Sequence, residues 1–478
     1  MFLDITEELL HAPVTELAPL LRERKLTSAA LTDAYLDRLE KLGPKLGAVV
    51  TITKDLARKE AAQADAEIKS GKYRGPLHGI PYGVKDLLAT KGIPTTWGAE
   101  PYKEQVFDYD ATVIRKLRAA GAVLLAKLAM VELAGGFGYG HADASFTGPG
   151  RTPWNLDFWS GGSSTGPGAA TAAGLVAFSI GSETSGSIIT PAAFCGVSGL
   201  RPTYGRVSRY GAMALCWSLD KLGPMCRSAA DCLLVLAAIA GKDPLDPTSV
   251  DRKSEFMDAQ TFTPYSDLGR KKKIRIGVIK GSADGIQPAV KKNFDESLKI
   301  LKTFADVVED VAFPDLPFGP VVGTIVNAEG AAAFRDLIES GKAKDLRAKR
   351  DRFGGYAMSM VLAVDYLQAM RLRTPMKKAL DALYAPFDAL VAPSRPTVAY
   401  PIDRDFDKAY PGVNYGPPVI PAGNAVGQPA LSVPNGFGPN DLPTGIQFTG
   451  RAWSEARLIA LADAYQRATE WHKQRPKV

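Results

Sequence analysis

At 478 residues the chain can bury one large core or two smaller ones, which excludes a short peptide-binding module as a description of the whole. Apolar residues make up 46%, alongside 46 glycines and 34 prolines, a composition that fits a folded α/β protein with many loops and not a disordered chain. Lys plus Arg is 58 against 51 for Asp plus Glu, a net +7, but the charges are dispersed, and the tight run Arg270-Lys271-Lys272-Lys273 lacks interleaved aromatics, so direct nucleic-acid binding is not expected.

The start, Met-Phe-Leu-Asp-Ile-Thr-Glu-Glu, has neither a basic n-region nor a long apolar h-region, so the cytoplasm is the expected location. Residues 14–42 predict helices, the second opening at Thr27 or Ser28 with Leu31, Tyr35, Leu39 and Leu42 on one face, and Gly43-Pro44 is expected to stop it. A helix after Asp110 carries Val113, Leu117 and Ala120 at helical spacing and leads through Gly121 into a strand at 122–125. The Ala/Gly-rich stretch 168–178 is too short and interrupted for a membrane span, so no membrane partner is expected; its small side chains predict a helix buried beneath two serine-bearing loops. Residues 242–270 lack periodicity and connect to an α/β region with strands at 274–279 and 307–311 and an amphipathic helix around 288–303. Short apolar segments at 390–393 and 430–434, bounded by proline, are expected to extend the first sheet. The expected organisation is an N-terminal helical region over 1–67, a core over 68–242, an inserted variable region over 243–389 and a return to the core over 390–478.

Cys195, Cys216, Cys226 and Cys232 show no Cys-x-x-Cys pattern, and His11, His78, His141 and His472 join no ligand cluster, so reduced thiols, no metal and no cofactor are expected. The chemistry points elsewhere. Ser187 follows Thr184-Ser185-Gly186, where a glycine-containing turn aims successive backbone N–H groups at a developing oxyanion. A serine hydroxyl needs a proton acceptor to become a nucleophile, and Ser163, behind Gly161-Gly162, has the chemistry to pass that proton on. Lys85 ends the apolar stretch Ile80-Pro81-Tyr82-Gly83-Val84, and burial favours its neutral, proton-accepting form. Each segment alone also fits something plainer: a Ser/Gly surface turn, a helix cap at Ser163, a surface ion pair of Lys85 with Asp86. Together they point to an enzyme that opens an amide-like C–N bond.

The runs Gly-Gly-Ser-Ser-Thr-Gly at 161–166 and Gly-Ser-Glu-Thr-Ser-Gly-Ser-Ile at 181–188, with Gly-Val-Ser-Gly-Leu-Arg-Pro-Thr-Tyr-Gly at 196–205, resemble the defining region of the amidase signature family. The likeness extends over nearly the whole chain. It implies an α/β fold with a central mixed β-sheet flanked by helices, Lys85 as base, Ser163 as a cis-serine bridge and Ser187 as nucleophile. It also implies an oxyanion hole from the backbone of Thr184, Ser185, Gly186 and Ser187. Two departures stand out: Ser185 and Thr165 replace customary glycines, and Ile189 replaces a customary arginine.

Residues 203–211 and Ser218-Leu219-Asp220 resemble the glutaminyl-tRNA amidotransferase A subunit in particular, which releases ammonia from glutamine and works with partner subunits. Ile189, and Trp217 with neighbouring Met213 and Cys216, instead favour a free-standing hydrolase of small aryl or apolar amides, anilides or carbamates. Its expected pocket is Trp97, Phe137, Tyr210, Trp217, Ile189 and Phe448. A homodimer is compatible with either reading, and a noncatalytic scaffold with the same fold is the third.

Overall fold

The computed structural model describes residues 3–252 and 274–478, so the basic run at 270–273 lies outside the described residues. The strands are β1 (Val49–Ile52), β2 (Pro81–Lys85), β3 (Val123–Leu128), β4 (Phe178–Glu183), β5 (Ser198–Arg201), β6 (Lys221–Cys226), β7 (Arg275–Ile279), β8 (Asp306–Val311), β9 (Ala389–Pro393), β10 (Ala430–Phe437) and β11 (Pro443–Thr449). They form one 11-stranded sheet in the order β1-β3-β2-β4-β6-β5-β10-β11-β9-β7-β8. The sheet is mixed. β2 runs parallel to β3 and β4, β7 runs parallel to β8 and β9, and the remaining pairings are antiparallel.

Every residue of β2, β3 and β4 is buried, as expected of parallel strands covered by helices on both faces. The two edges behave differently: β1 is half-buried along its length, and β8 exposes Glu309 and Asp310, charges that discourage pairing with another chain. The segments at 390–393 and 430–434 do join the first sheet, as β9 and β10. β7 and β8 continue it at one edge.

Two helices end elsewhere than expected for a clear physical reason. The helix Ser28–Leu46 begins at Thr27, whose hydroxyl accepts from Ala30 N–H at 3.1 Å, but it runs past Gly43-Pro44. Pro44 sits in the last turn, where its missing N–H costs a single bond, and Gly47, at φ +55, makes the left-handed stop instead. The small-residue helix spans Thr165–Ala172 and not 168–178: Gly174 turns left-handed at φ +63, and Phe178 already belongs to β4. This helix is wholly buried, and a Cβ at Gly166 would stand 2.4 Å from Ala129 N and Ala48 O. Close backbone approach, which only small residues permit, thus seats the helix that carries the first serine loop against β3.

Candidate active site

β2 ends at Lys85 and delivers its side chain into a fully buried polar cluster. Lys85 Nζ lies 2.7 Å from Ser163 Oγ and 2.9 Å from Ser182 Oγ. Burial lowers the Lys85 pKa to about 7 against the opposing pull of Asp220 and Glu183. An amine so placed has a lone pair for the Ser163 proton and N–H groups for Ser182. Asp86, the next residue, points away and pairs with Lys127 at 3.0 Å, both side chains fully buried, so the alternative of a Lys85–Asp86 surface pair does not apply. Successive strand residues face opposite sides of the sheet, which separates the two charges.

Ser163 follows a cis peptide bond from Gly162, and Gly161 adopts φ +83. A Cβ at Gly161 would meet Pro191 Cα at 2.8 Å, so the glycine is required twice over. The neighbouring Ser164 hydroxyl donates to the Ser182 carbonyl at 3.2 Å and accepts from Ser182 N–H at 3.3 Å, locking the first serine loop to β4.

The second loop leaves β4 after Glu183. This carboxylate is fully buried: one oxygen accepts from Ile188 N–H at 2.9 Å and Ile189 N–H at 3.1 Å, the other from Arg201 Nη1 and Asn424 Nδ2, each at 2.9 Å. Burial alone would raise its pKa, but Arg201 and Lys221 hold it down to about 2. Thr184 Oγ1 donates to Asp220 at 2.6 Å, pinning the loop's other end. Among the described residues, the backbone N–H groups of Thr184, Ser185, Gly186 and Ser187 find no acceptor within the chain. Gly186 supplies the left-handed turn at φ +95, whereas Ser185 stays at negative φ, so its Cβ is accommodated. Among the described residues no hydrogen bond joins Ser187 to Ser163; the structure closes the Lys85–Ser163 half of the relay.

Ser187 lines a cavity of about 400 Å³. Its wall includes Tyr139, Trp159, Tyr400, Phe406 and Tyr415, together with Arg395. Trp159 and Phe406 stack with centroids 4.4 Å apart, and Tyr400 lies 5.0 Å from Phe406. The aromatic residues singled out in the sequence are elsewhere. Tyr210 and Trp217 line an adjoining cavity of about 190 Å³ with Ser182 and Asp220. Trp97, at φ +55, packs on Tyr102, Phe107 and Phe334, and Phe137 meets Phe334 edge-on. Phe448 is fully buried on β11 beside Tyr465, and Ile189 is fully buried at the start of the helix Ile189–Cys195; neither lines either cavity.

A profile described as Amidase matches residues 30–459. The chain belongs to the amidase signature family. It is 36% identical to the glutamyl-tRNA(Gln) amidotransferase A-type subunit of Carboxydothermus hydrogenoformans, over 98% of this chain and 100% of that protein. Among solved structures, the native peptide amidase of Stenotrophomonas maltophilia superposes with a TM-score of 0.85 at 33% identity, covering 97% of this chain and 98% of that one. A chain from a vestigial protein complex tied to the origins of an s-triazine catabolic enzyme superposes at 0.87 with 29% identity, covering 98% of this amidase and 100% of that chain.

Several residues of this amidase's site escaped the sequence. Ser182, on β4, is a second hydroxyl on Lys85, and alternation from the buried β4 pattern was the available signal. Glu183 is signalled only by its place ahead of the loop. The cavity wall had a compositional signal, since Tyr400, Phe406, Tyr410 and Tyr415 crowd into one short loop-rich stretch. Among the described residues no three His, Cys, Asp or Glu side chains gather as metal ligands, and no helix is long and apolar enough to cross a membrane.

Proposed function

We propose that this amidase opens a primary carboxamide through an acyl-Ser187 intermediate and releases ammonia. The observation that carries the reading is the buried Lys85 amine, with a pKa of about 7, lying 2.7 Å from Ser163, beside a loop whose four N–H groups at 184–187 find no acceptor among the described residues. As Ser187 Oγ bonds to the carbonyl carbon, its proton passes to Ser163 and the Ser163 proton to Lys85. The free N–H groups hold the oxyanion. Collapse breaks the C–N bond, the proton returns along the same path to the leaving nitrogen, and water then removes the acyl group.

For the substrate, the likeness to the A-type subunits of amidotransferases favours glutamine, hydrolysed with partner subunits present, over a free-standing aryl hydrolase. Of the sequence features that argued for the latter, Ile189, Met213, Cys216 and Trp217 are not in the wall around Ser187, and the Trp217 loop reaches it only through Leu215. The aromatic wall still supports a second reading, an aryl amide or carbamate cleaved by the chain alone. Ammonia or amine release from glutamine, peptide amides, aliphatic amides, aryl amides and aryl carbamates, with and without partner subunits, tests both. Glutamine turnover that needs partners supports the first, and arylamine release by the chain alone supports the second. No release from any substrate under either condition would contradict the proposal and leave a scaffold role.

A further inference from the structure

Among the described residues, Arg395, just after β9, is the one charged side chain lining the Ser187 cavity. Its guanidinium makes one hydrogen bond among the described residues, from Nη2 to the Tyr400 hydroxyl at 3.2 Å, and its Cζ lies 5.8 Å from the Tyr415 ring centroid. Among the described residues no carboxylate pairs with it, and its Nε is buried without a hydrogen-bond partner. A guanidinium carries five N–H donors, so most of its hydrogen-bonding capacity is left over. A guanidinium in a cavity wall with unused donors is a ready partner for a ligand that supplies acceptors.

The surroundings suit an anion. No acidic group lines the cavity to neutralise Arg395, and the stacked Trp159 and Phe406 rings displace water, which strengthens any ion pair made there. The backbone beneath the cation is fixed as well. Ser394 N–H donates to Gly445 O at 2.8 Å, the Ser394 and Ser432 hydroxyls meet at 2.7 Å, and Pro396 O accepts from Gln287 N–H at 3.0 Å. The guanidinium fork matches a carboxylate or a phosphate alike, but one cation balances a single negative charge, which favours a carboxylate over a dianionic phosphate.

We propose that Arg395 is the specificity-determining residue of this cavity and that the substrate is an amide bearing a carboxylate, which Arg395 holds while the carboxamide carbon meets Ser187. The assignment of the reacting end rests on the proposed role of Ser187; the carboxylate contact does not. The test is calorimetric titration of the Ser187→Ala protein with glutaramate and with pentanamide, a neutral amide of the same chain length. Glutaramate binds more tightly, and adding Arg395→Gln weakens it about 10–100-fold while pentanamide changes far less. Arg395→Lys, which keeps the charge and loses the fork, falls between, and melting curves of each variant separate loss of the site from loss of fold. Equal affinity for the two amides, no measurable glutaramate binding, or equal weakening of both by Arg395→Gln overturns the proposal. Arg395-dependent glutaramate binding in a protein that turns over no amide would sink the Ser187 reading and sustain the carboxylate site.

Discussion

The relay and the cavity wall of this amidase are built in contrasting ways. Lys85, Ser163 and Ser182 are all buried and touch at 2.7 and 2.9 Å, each held by a strand end or a loop bonded to one. The wall is made of rings 4.4 to 6.3 Å apart and one cation that has no counter-ion among the described residues. The relay draws on β2, β4 and the loop between β3 and β4, which are neighbours in the sheet. The wall is assembled across the chain, where Trp159 N–H donates to Tyr400 O at 2.8 Å and Ile402 N–H to Asp157 O at 3.0 Å. On the proposed roles, the difference teaches that reaction type and substrate choice sit on separable parts of the structure. Damage to the relay lowers turnover of every substrate, and damage to the wall reorders substrates.

The largest expected effect tests the relay. Lys85→Ala lowers kcat/KM by about 10²–10⁴-fold for all amides alike, read from ammonia release. With the neutral amine as the working form in the proposed relay, kcat/KM of the unaltered protein is expected to rise about tenfold per pH unit on the acid side and to level above a pH of about 7. A profile flat from pH 5 to 8 would remove Lys85 from the role of base.

Glu183→Gln comes next. It leaves Arg201 facing a neutral group in the interior, where breaking a buried pair costs about 3–5 kcal/mol, measured as a lower denaturant midpoint. The sign with pH follows from the depressed pKa: the pair's contribution is complete above the ordinary glutamate value of about 4.3 and is lost only as pH falls toward about 2. An unchanged midpoint would show that the second serine loop is braced otherwise.

Smaller effects sharpen the same contrast. Ser182→Ala removes one of the two hydroxyls on Lys85, a change of about 0.5–1.5 kcal/mol, so turnover drops a few-fold for every substrate. Phe406→Leu trims the wall, and the ratio of aryl to aliphatic amide turnover shifts by a few-fold while the pH profile stays put. A uniform drop across substrates in Phe406→Leu would erase the distinction between relay and wall.

The same contrast explains what could be read in the sequence. Lys85, Ser163 and Ser187 stood out because they sit in or beside short segments with unusual backbone demands, such as Gly161 and Gly186 in the left-handed region, and the structure brings Lys85 and Ser163 to 2.7 Å. The strands were legible from apolar runs, several of them one or two residues longer in the structure. Of the cavity wall only the aromatic crowd at 400–415 left a trace in composition, because two backbone bonds between 157–159 and 400–402 bring Trp159 to those rings, and composition records no pairing across that separation. Phe448 shows the converse: an aromatic residue on a strand inside an 11-stranded sheet is core, whatever its ring offers chemically.

The central claim, that Ser187 carries the acyl group, is tested most directly by intact and peptide mass spectrometry after rapid quench of a reaction with a slowly hydrolysed amide or ester. The account predicts the acyl mass on the peptide containing Ser187 and its disappearance in Ser187→Ala. An adduct on another residue, or one that persists in the Ser187→Ala protein, would contradict it.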